Sequence, residues 1–498
     1  MKTVLFSIVV ATFFAISLTS ISQNVNPNKL QEQTINTQHE LLINNEKFSF
    51  QATAGTILLK DKKQNPTASI FYVAYTSSSK DYSRPITFAF TGGPGSSSVW
   101  LHLGLLGPKR VVMGDKGELL PPPHQLIDNE YTILRQSDIV FIDPVGTGFS
   151  KSNDTIPAEK FYGIDEDIQS IGEFIRLYLL KNKRFSSPKF IIGESYGGLR
   201  ATGLTTFLQD KYGIYLNGIM MISPFMNGLI NNFSPGNDLP YITTLPYYTS
   251  TAWYHKKLKN NLQSDFTATL KKSEKFAQND YALALLKGNT ISESEFNIVA
   301  TQLSEFTGLS VDYIKRKRIR ITPLEFGKKL LEKERLVLGR FDSRYSRPEI
   351  PIDGVIDYSI YSEPSATIVD GPFSTTLYEY LYIDLNYKTN VRYNIDNFES
   401  GKKWNFSKFK GRSIYMGDHL RKSLVKNPYL KVFVATGYFD GATPYSNIKF
   451  DFDHIQFENN SKANVTIKYY DAGHMMYIDK AQLIKLSEDL NQFIKSAY

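Results

Sequence analysis

Five short apolar runs, Ile86 to Phe90, Ile139 to Ile142, Phe190 to Ile192, Ile219 to Ile222 and Val432 to Ala435, each lead into a loop rich in Gly, Pro or Asp. Runs so short and so uniformly apolar have no polar face to offer water, which suits strands covered on both sides, as in a parallel sheet. Between two of them Ile164, Ile168, Ile171, Ile175 and Leu179 recur at helical spacing. Asp165, Glu166 and Asp167 open that stretch and Lys181, Lys183 and Arg184 close it, which complements a helix dipole. Strand, helix and strand in succession predict an α/β fold: a mostly parallel, doubly wound sheet with helices on both faces. Ahead of it, after a polar segment from Gln23 to about Glu40, Thr56 to Leu59 and Ile70 to Tyr75 read as antiparallel strands.

The sheet pattern stops near Phe225 and resumes near Leu430. The interval is rich in helical segments such as Leu324 to Leu338 and Thr375 to Leu385. It reads as an insertion over the carboxyl ends of the strands, where open α/β sheets bind ligands. The expected division is a core in two parts, 23–226 and 430–498, interrupted by a cap at 227–429. The basic run Lys315 to Arg318 falls in the cap and reads as a solvated helix face.

Residues 1–22 read as a cleavable export signal, with one lysine, an apolar stretch from Val4 to Leu18 and small residues at Ser20 and Ser22. That stretch is short for a membrane span, which needs about 20 residues. An exported, periplasmic or secreted protein follows, with no stable membrane insertion. The 498 residues contain no cysteine, so stability outside the cell must come without disulfides. A net charge of +8 without a basic tail does not call for nucleic acid. No His, Cys and carboxylate cluster has metal-ligand spacing, so no metal or organic cofactor is expected.

The chemistry is concentrated at the strand ends. Gly193-Glu194-Ser195-Tyr196-Gly197 has the G-x-S-x-G form that places a serine on a sharp turn from strand to helix. A serine hydroxyl needs a base, and the base needs an orienting carboxylate, in the chain order Ser, acid, His. His474 follows the strand-like Val465 to Tyr470, and Asp440 follows Val432 to Ala435. His454 sits among helix-like residues and reads as structural. The expected oxyanion donors are the N–H of Tyr196 and a backbone N–H of Gly92-Gly93, where glycine admits close approach. Gly146-Thr147-Gly148 lacks the Gly-Lys-Ser/Thr ending of a phosphate loop and reads as a turn.

These motifs together resemble the serine carboxypeptidases of peptidase family S10, in their bacterial form. The resemblance runs from Ile86 to the C-terminus. It rests on Gly92-Gly93-Pro94-Gly95-Ser96-Ser97-Ser98, Asp143 to Ser150, Gly193 to Gly198, Gly437 to Asp440 with Ala442-Thr443-Pro444, and Gly473-His474-Met475. It implies an α/β-hydrolase fold with a helical insertion and release of C-terminal amino acids from peptides with a free C-terminus. Ser195, Asp440 and His474 would form the triad, and Gly93 and Tyr196 the oxyanion hole. Thr91, Gly92, Glu194 and Met475 would contact substrate, Glu194 as a protonated acid facing the terminal carboxylate, which favours mildly acidic pH. Thr91 stands where the family commonly has asparagine, Leu105 where eukaryotic members have glutamate, and Ser96 where they have cysteine. An esterase, an acyltransferase or a broader serine peptidase on the same triad is the alternative, and a binding protein with a decayed site a further one.

Overall fold

The computed structural model describes residues 30–43, 45–79, 81–348, 363–458 and 460–498; the expected export signal lies outside them. Its strands are β1 Thr34–Ile43, β2 Glu46–Lys60, β3 Pro66–Ser77, β4 Ile86–Phe90, β5 Lys109–Val111, β6 Leu126–Asp128, β7 Asp138–Ile142, β8 Lys151–Ser152, β9 Lys189–Glu194, β10 Gly218–Ile222, β11 Leu336–Leu338, β12 Ser346–Pro348, β13 Lys431–Gly437 and β14 Val465–Tyr470. The main sheet runs β1-β2-β3-β7-β4-β9-β10-β13-β14, with β8 beside β3, and β5-β6 and β11-β12 form two short ribbons. The segment from β1 to β3 joins β7 antiparallel, and β7 onward is parallel.

All five apolar runs are strands of this sheet, and their side chains alternate between two cores. Phe190, Ile192, Met220 and Ile222 enter one, which helix Lys480–Ser496 covers with Leu483, Leu486, Leu490 and Ile494. Ile191, Ile219 and Met221 enter the other, covered by helices Ile164–Lys181 and Tyr196–Tyr212. Burial on both faces explains why the runs carry no polar alternation. The sheet order and the helices on both faces are those of the α/β-hydrolase fold.

Within the insertion, residues from Leu245 to Leu338 have an apolar cluster of their own, centred on Tyr248, Leu303, Ile314 and Phe326. Phe373, Leu377 and Tyr380, by contrast, pack into the first sheet core.

Two expectations need correction. The polar segment before Glu40 is in part β1, an edge strand whose inward residues include Thr37 and His39, so its alternation is weakly apolar. The stretch from Leu324 to Leu338 is not one helix. Helix Pro323–Lys329 ends, Arg335 takes a φ of 59°, and β11 pairs with β12. Asp165, Glu166 and Asp167 do open helix Ile164–Lys181 and Lys181 closes it; Asp167 also pairs with Arg200 Nε at 2.7 Å, and Arg184, just beyond the helix, with Asp138 at 2.5 Å.

Candidate active site

Ser195 stands between β9 and helix Tyr196–Tyr212 with φ 60° and ψ −124°. That is strained backbone for a residue with a side chain, and it is held from several sides. The Ser195 N–H donates to the Ile222 carbonyl at 2.9 Å, and its carbonyl accepts from Gly198 and Phe225 at 2.9 Å each. The surrounding glycines are required by contact. A Cβ on Gly193 would lie 2.1 Å from the Gly197 carbonyl oxygen, and one on Gly198 would lie 2.4 Å from the Pro224 side chain.

His474 Nδ1 and Asp440 Oδ2 are 2.7 Å apart, and both residues are buried. The other oxygen, Asp440 Oδ1, accepts from the N–H groups of Ala442 and Thr443 at 2.8 and 2.9 Å. Thr443 Oγ1 also reaches Asp440 Oδ2 at 2.7 Å. Burial pulls the His474 pKa down, but the Asp440 charge, its hydrogen bond and the nearby Glu194 together lift it above its ordinary value. A neutral imidazole with Nδ1–H on the carboxylate leaves Nε2 as the basic nitrogen.

The ends of β10 and β13 hold these loops together. Ser223 N–H donates to Ala435 O at 2.8 Å, Ser223 Oγ to His474 O at 2.9 Å, and Thr443 Oγ1 to Ser223 O at 2.9 Å.

The glycine loop after β4 meets the serine turn. A Cβ on Gly92 would fall 2.5 Å from Tyr196 N and 2.9 Å from Ser195 Cβ, so only glycine fits there. Gly93 has φ 101°, a conformation that favours glycine. Arg200, wholly buried, donates to the Thr91 carbonyl at 2.5 Å while paired with Asp167, so the helix carrying the serine turn also fixes this loop. The Thr91 hydroxyl donates to the Ser97 carbonyl, turned into its own loop.

Glu194 is 3% exposed, and both its oxygens accept from the Tyr477 hydroxyl, at 2.9 and 3.0 Å. Burial pushes its pKa up to about 7, with the Asp440 charge adding and His474 and Tyr477 opposing.

Ser195, His474, Glu194, Tyr196, Thr91, Gly92, Gly93 and Met475 all line one cavity of about 520 Å³. Asp440 stands behind His474, fully buried. The insertion adds Arg340, Phe341, Asp370, Asp396 and Phe406, none of which a sequence motif marks. Asp396 accepts from Ser96 Oγ. Burial, then the charges of Asp396 and Glu363, lift the Asp370 pKa to about 6.

Three other readings find their places. Asp143 is buried and accepts from Ser98 and from the Tyr393 hydroxyl, while Gly146 to Gly148 form a turn tied to Asn394 and Asn397. His454 lies outside the cavity, its ring stacked on Phe450 and Nδ1 at 2.8 Å from the Phe450 carbonyl. The basic run closes helix Val311–Arg316, with Lys317 on Glu325 and Arg318 over the Phe296 ring. Among the described residues no group of three or more His, Cys, Asp or Glu could hold a metal ion, and no helix is long and apolar enough to cross a membrane.

Comparison with known proteins points to one family. The family profile "Serine carboxypeptidase" matches residues 43–339. Among curated relatives, "Serine carboxypeptidase-like 46" of Arabidopsis thaliana is 26% identical over 188 residues, covering 36% of this chain and 37% of the relative. "Serine carboxypeptidase-like 2" of the same plant is 30% identical over 154 residues, 30% of this chain and 33% of the relative. The chain thus spans little more than a third of the length of these relatives. A solved prohormone-processing carboxypeptidase from Saccharomyces cerevisiae shares the fold with a TM-score of 0.57 at 17% identity, covering 90% of this chain and 92% of that one. With its fold, its strand-end loops and that family profile in agreement, the chain belongs to the serine carboxypeptidase family.

Proposed function

We propose that this protein is an exported serine carboxypeptidase that releases C-terminal amino acids from peptides. One observation carries the reading: the 2.7 Å His474–Asp440 pair opens onto the same cavity as Ser195, beside a buried Glu194 with pKa near 7. In this mechanism Ser195 Oγ attacks the last peptide carbonyl as His474 Nε2 takes its proton. The imidazolium then gives that proton to the leaving amino group, and Asp440 stabilises the imidazolium throughout. The N–H groups of Gly93 and Tyr196 receive the oxyanion. Water, activated by His474, resolves the acyl-enzyme. Glu194, neutral below about pH 7, donates a hydrogen bond to the substrate's carboxylate.

Export rests on the apolar N-terminal stretch from Val4 to Leu18. A second reading, esterase or acyltransferase chemistry on the same triad, is favoured by the Thr91 hydroxyl, which is committed to its own loop and not to the cavity. Mass spectrometry of one N-blocked peptide with free and with amidated C-terminus decides between them. Stepwise loss of residues from the free form alone is the expected result. Equal cleavage of both forms would move acyl transfer without carboxylate recognition to first place.

A further inference from the structure

The proposed acyl-transfer steps leave a cationic group at the cavity unused. Arg340 is the sole lysine or arginine among the described residues that line it. Its backbone is fastened on both sides: the N–H donates to the Glu363 carboxylate, and the carbonyl accepts from Gly441 N–H at 2.9 Å, next in the chain to Asp440. From that anchorage the guanidinium lies 5.3 Å from the centre of the Phe341 ring, which is itself 5.3 Å from the His474 ring. Its charge is felt at the imidazole.

The guanidinium has no ion-pair partner among the described residues, unlike the buried Arg344, which pairs with Asp342 and Asp479. The cavity's aspartates are engaged elsewhere. Asp396 is held by Ser96, and the charges acting on Asp370 are those of Asp396 and Glu363, not Arg340. An exposed fork of guanidinium donors thus borders the cavity near the reacting centre with no anionic partner among the described residues. Its planar donors match a carboxylate, two hydrogen bonds to two oxygens. No other group in the cavity offers this. The Thr91 hydroxyl is committed to Ser97, and Glu194 repels an anion once ionised.

We propose that Arg340 binds a carboxylate of the departing residue of the substrate; this rests on the carboxypeptidase reading of the cavity. The carboxylate has two sources, the peptide's own terminus or an acidic side chain on its last residue.

Steady-state kinetics on N-blocked dipeptides ending in Phe, Glu and Gln distinguish them, with the natural protein, Arg340→Met and Arg340→Lys. The expected result is that Arg340→Met raises KM for the Phe acid at least about tenfold over the natural protein, with kcat much less affected. Arg340→Lys should recover part of that loss. A collapse of the Glu-over-Gln preference instead identifies the side chain as the source. If neither the KM for the Phe acid nor the Glu-over-Gln preference moves by more than about twofold, the proposal is overturned. Labelling of Ser195 by an organophosphate at one per chain controls for folding. If the natural protein cleaves no peptide, the carboxypeptidase reading fails. Calorimetric binding of N-acetyl-phenylalanine against its amide, to the natural protein and to Arg340→Met, then decides the role of Arg340 alone.

Discussion

Ser195 and Glu194 are chain neighbours that face one cavity with different tasks, and each makes a separate prediction. Ser195→Ala should lower kcat/KM on a peptide substrate by about 10⁴–10⁶-fold with an unchanged melting temperature, and organophosphate labelling should disappear. Glu194 is unusual for a carboxylate because its folded pKa, about 7, lies above its unfolded value. In the proposed mechanism its neutral form donates to a substrate carboxylate and its ionised form repels one. KM for free-acid peptides is therefore expected to rise as pH passes from about 6 to 8, and Glu194→Gln should flatten that rise. A profile that stays sloped in Glu194→Gln would assign the titration to another group. The positions of Ser195, Asp440 and His474 at the cavity were legible because each follows a strand closely, in the chain order that the proposed triad requires. Arg340, Asp370 and Asp396 were not legible, since they reach the cavity from the insertion through tertiary packing and carry no local pattern.

Elements translate these residue demands into packing. The turn at the end of β9 leaves no room for a side chain, so Gly193→Ala drives a Cβ into the Gly197 carbonyl. The expected cost is about 2–4 kcal/mol, read as a lower urea midpoint, with loss of activity from a displaced Ser195. Helix Tyr445–His454 carries a different liability. Asp451 is buried against Asn227 at 2.8 Å, and burial pushes its pKa up to about 7. The folded state then holds a proton that the unfolded chain releases near pH 4, so this group's stabilisation is full at low pH and fades as pH rises through about 7. Asp451→Asn should raise the melting temperature at pH 8 and change it little at pH 5. The five apolar runs match their strands to within two residues, because burial on both faces leaves only apolar side chains, whereas β2 and β3 extend well beyond Thr56 to Leu59 and Ile70 to Tyr75. Leu336 to Leu338 was not, because three apolar residues fit helix and strand equally. Their partner, β12, is a non-local contact that periodicity does not register.

At the scale of the whole molecule the sheet and part of the insertion have separate apolar cores. Phe326, fully buried and stacked on Tyr248 at 4.3 Å, lies in the centre of the insertion's own cluster. Phe326→Ala should cost about 3–5 kcal/mol of local packing. Hydrogen exchange is expected to quicken between residues 245 and 338 and to remain unchanged in β4, β9 and β10. Uniform acceleration everywhere would show that the two cores unfold as one. Arg340 and Phe341 follow this cluster directly in the chain, so loosening it should raise KM more than it lowers kcat.

The two residues at the end of β10 and just beyond it, Ile222 and Ser223, supply no chemistry, yet hydrogen bonds from them reach the loops of Ser195, His474 and Asp440 alike. They act as a surveyor's benchmark from which all three positions are measured. A disturbance that tilts this strand end carries the three loops with it and leaves their mutual spacing intact.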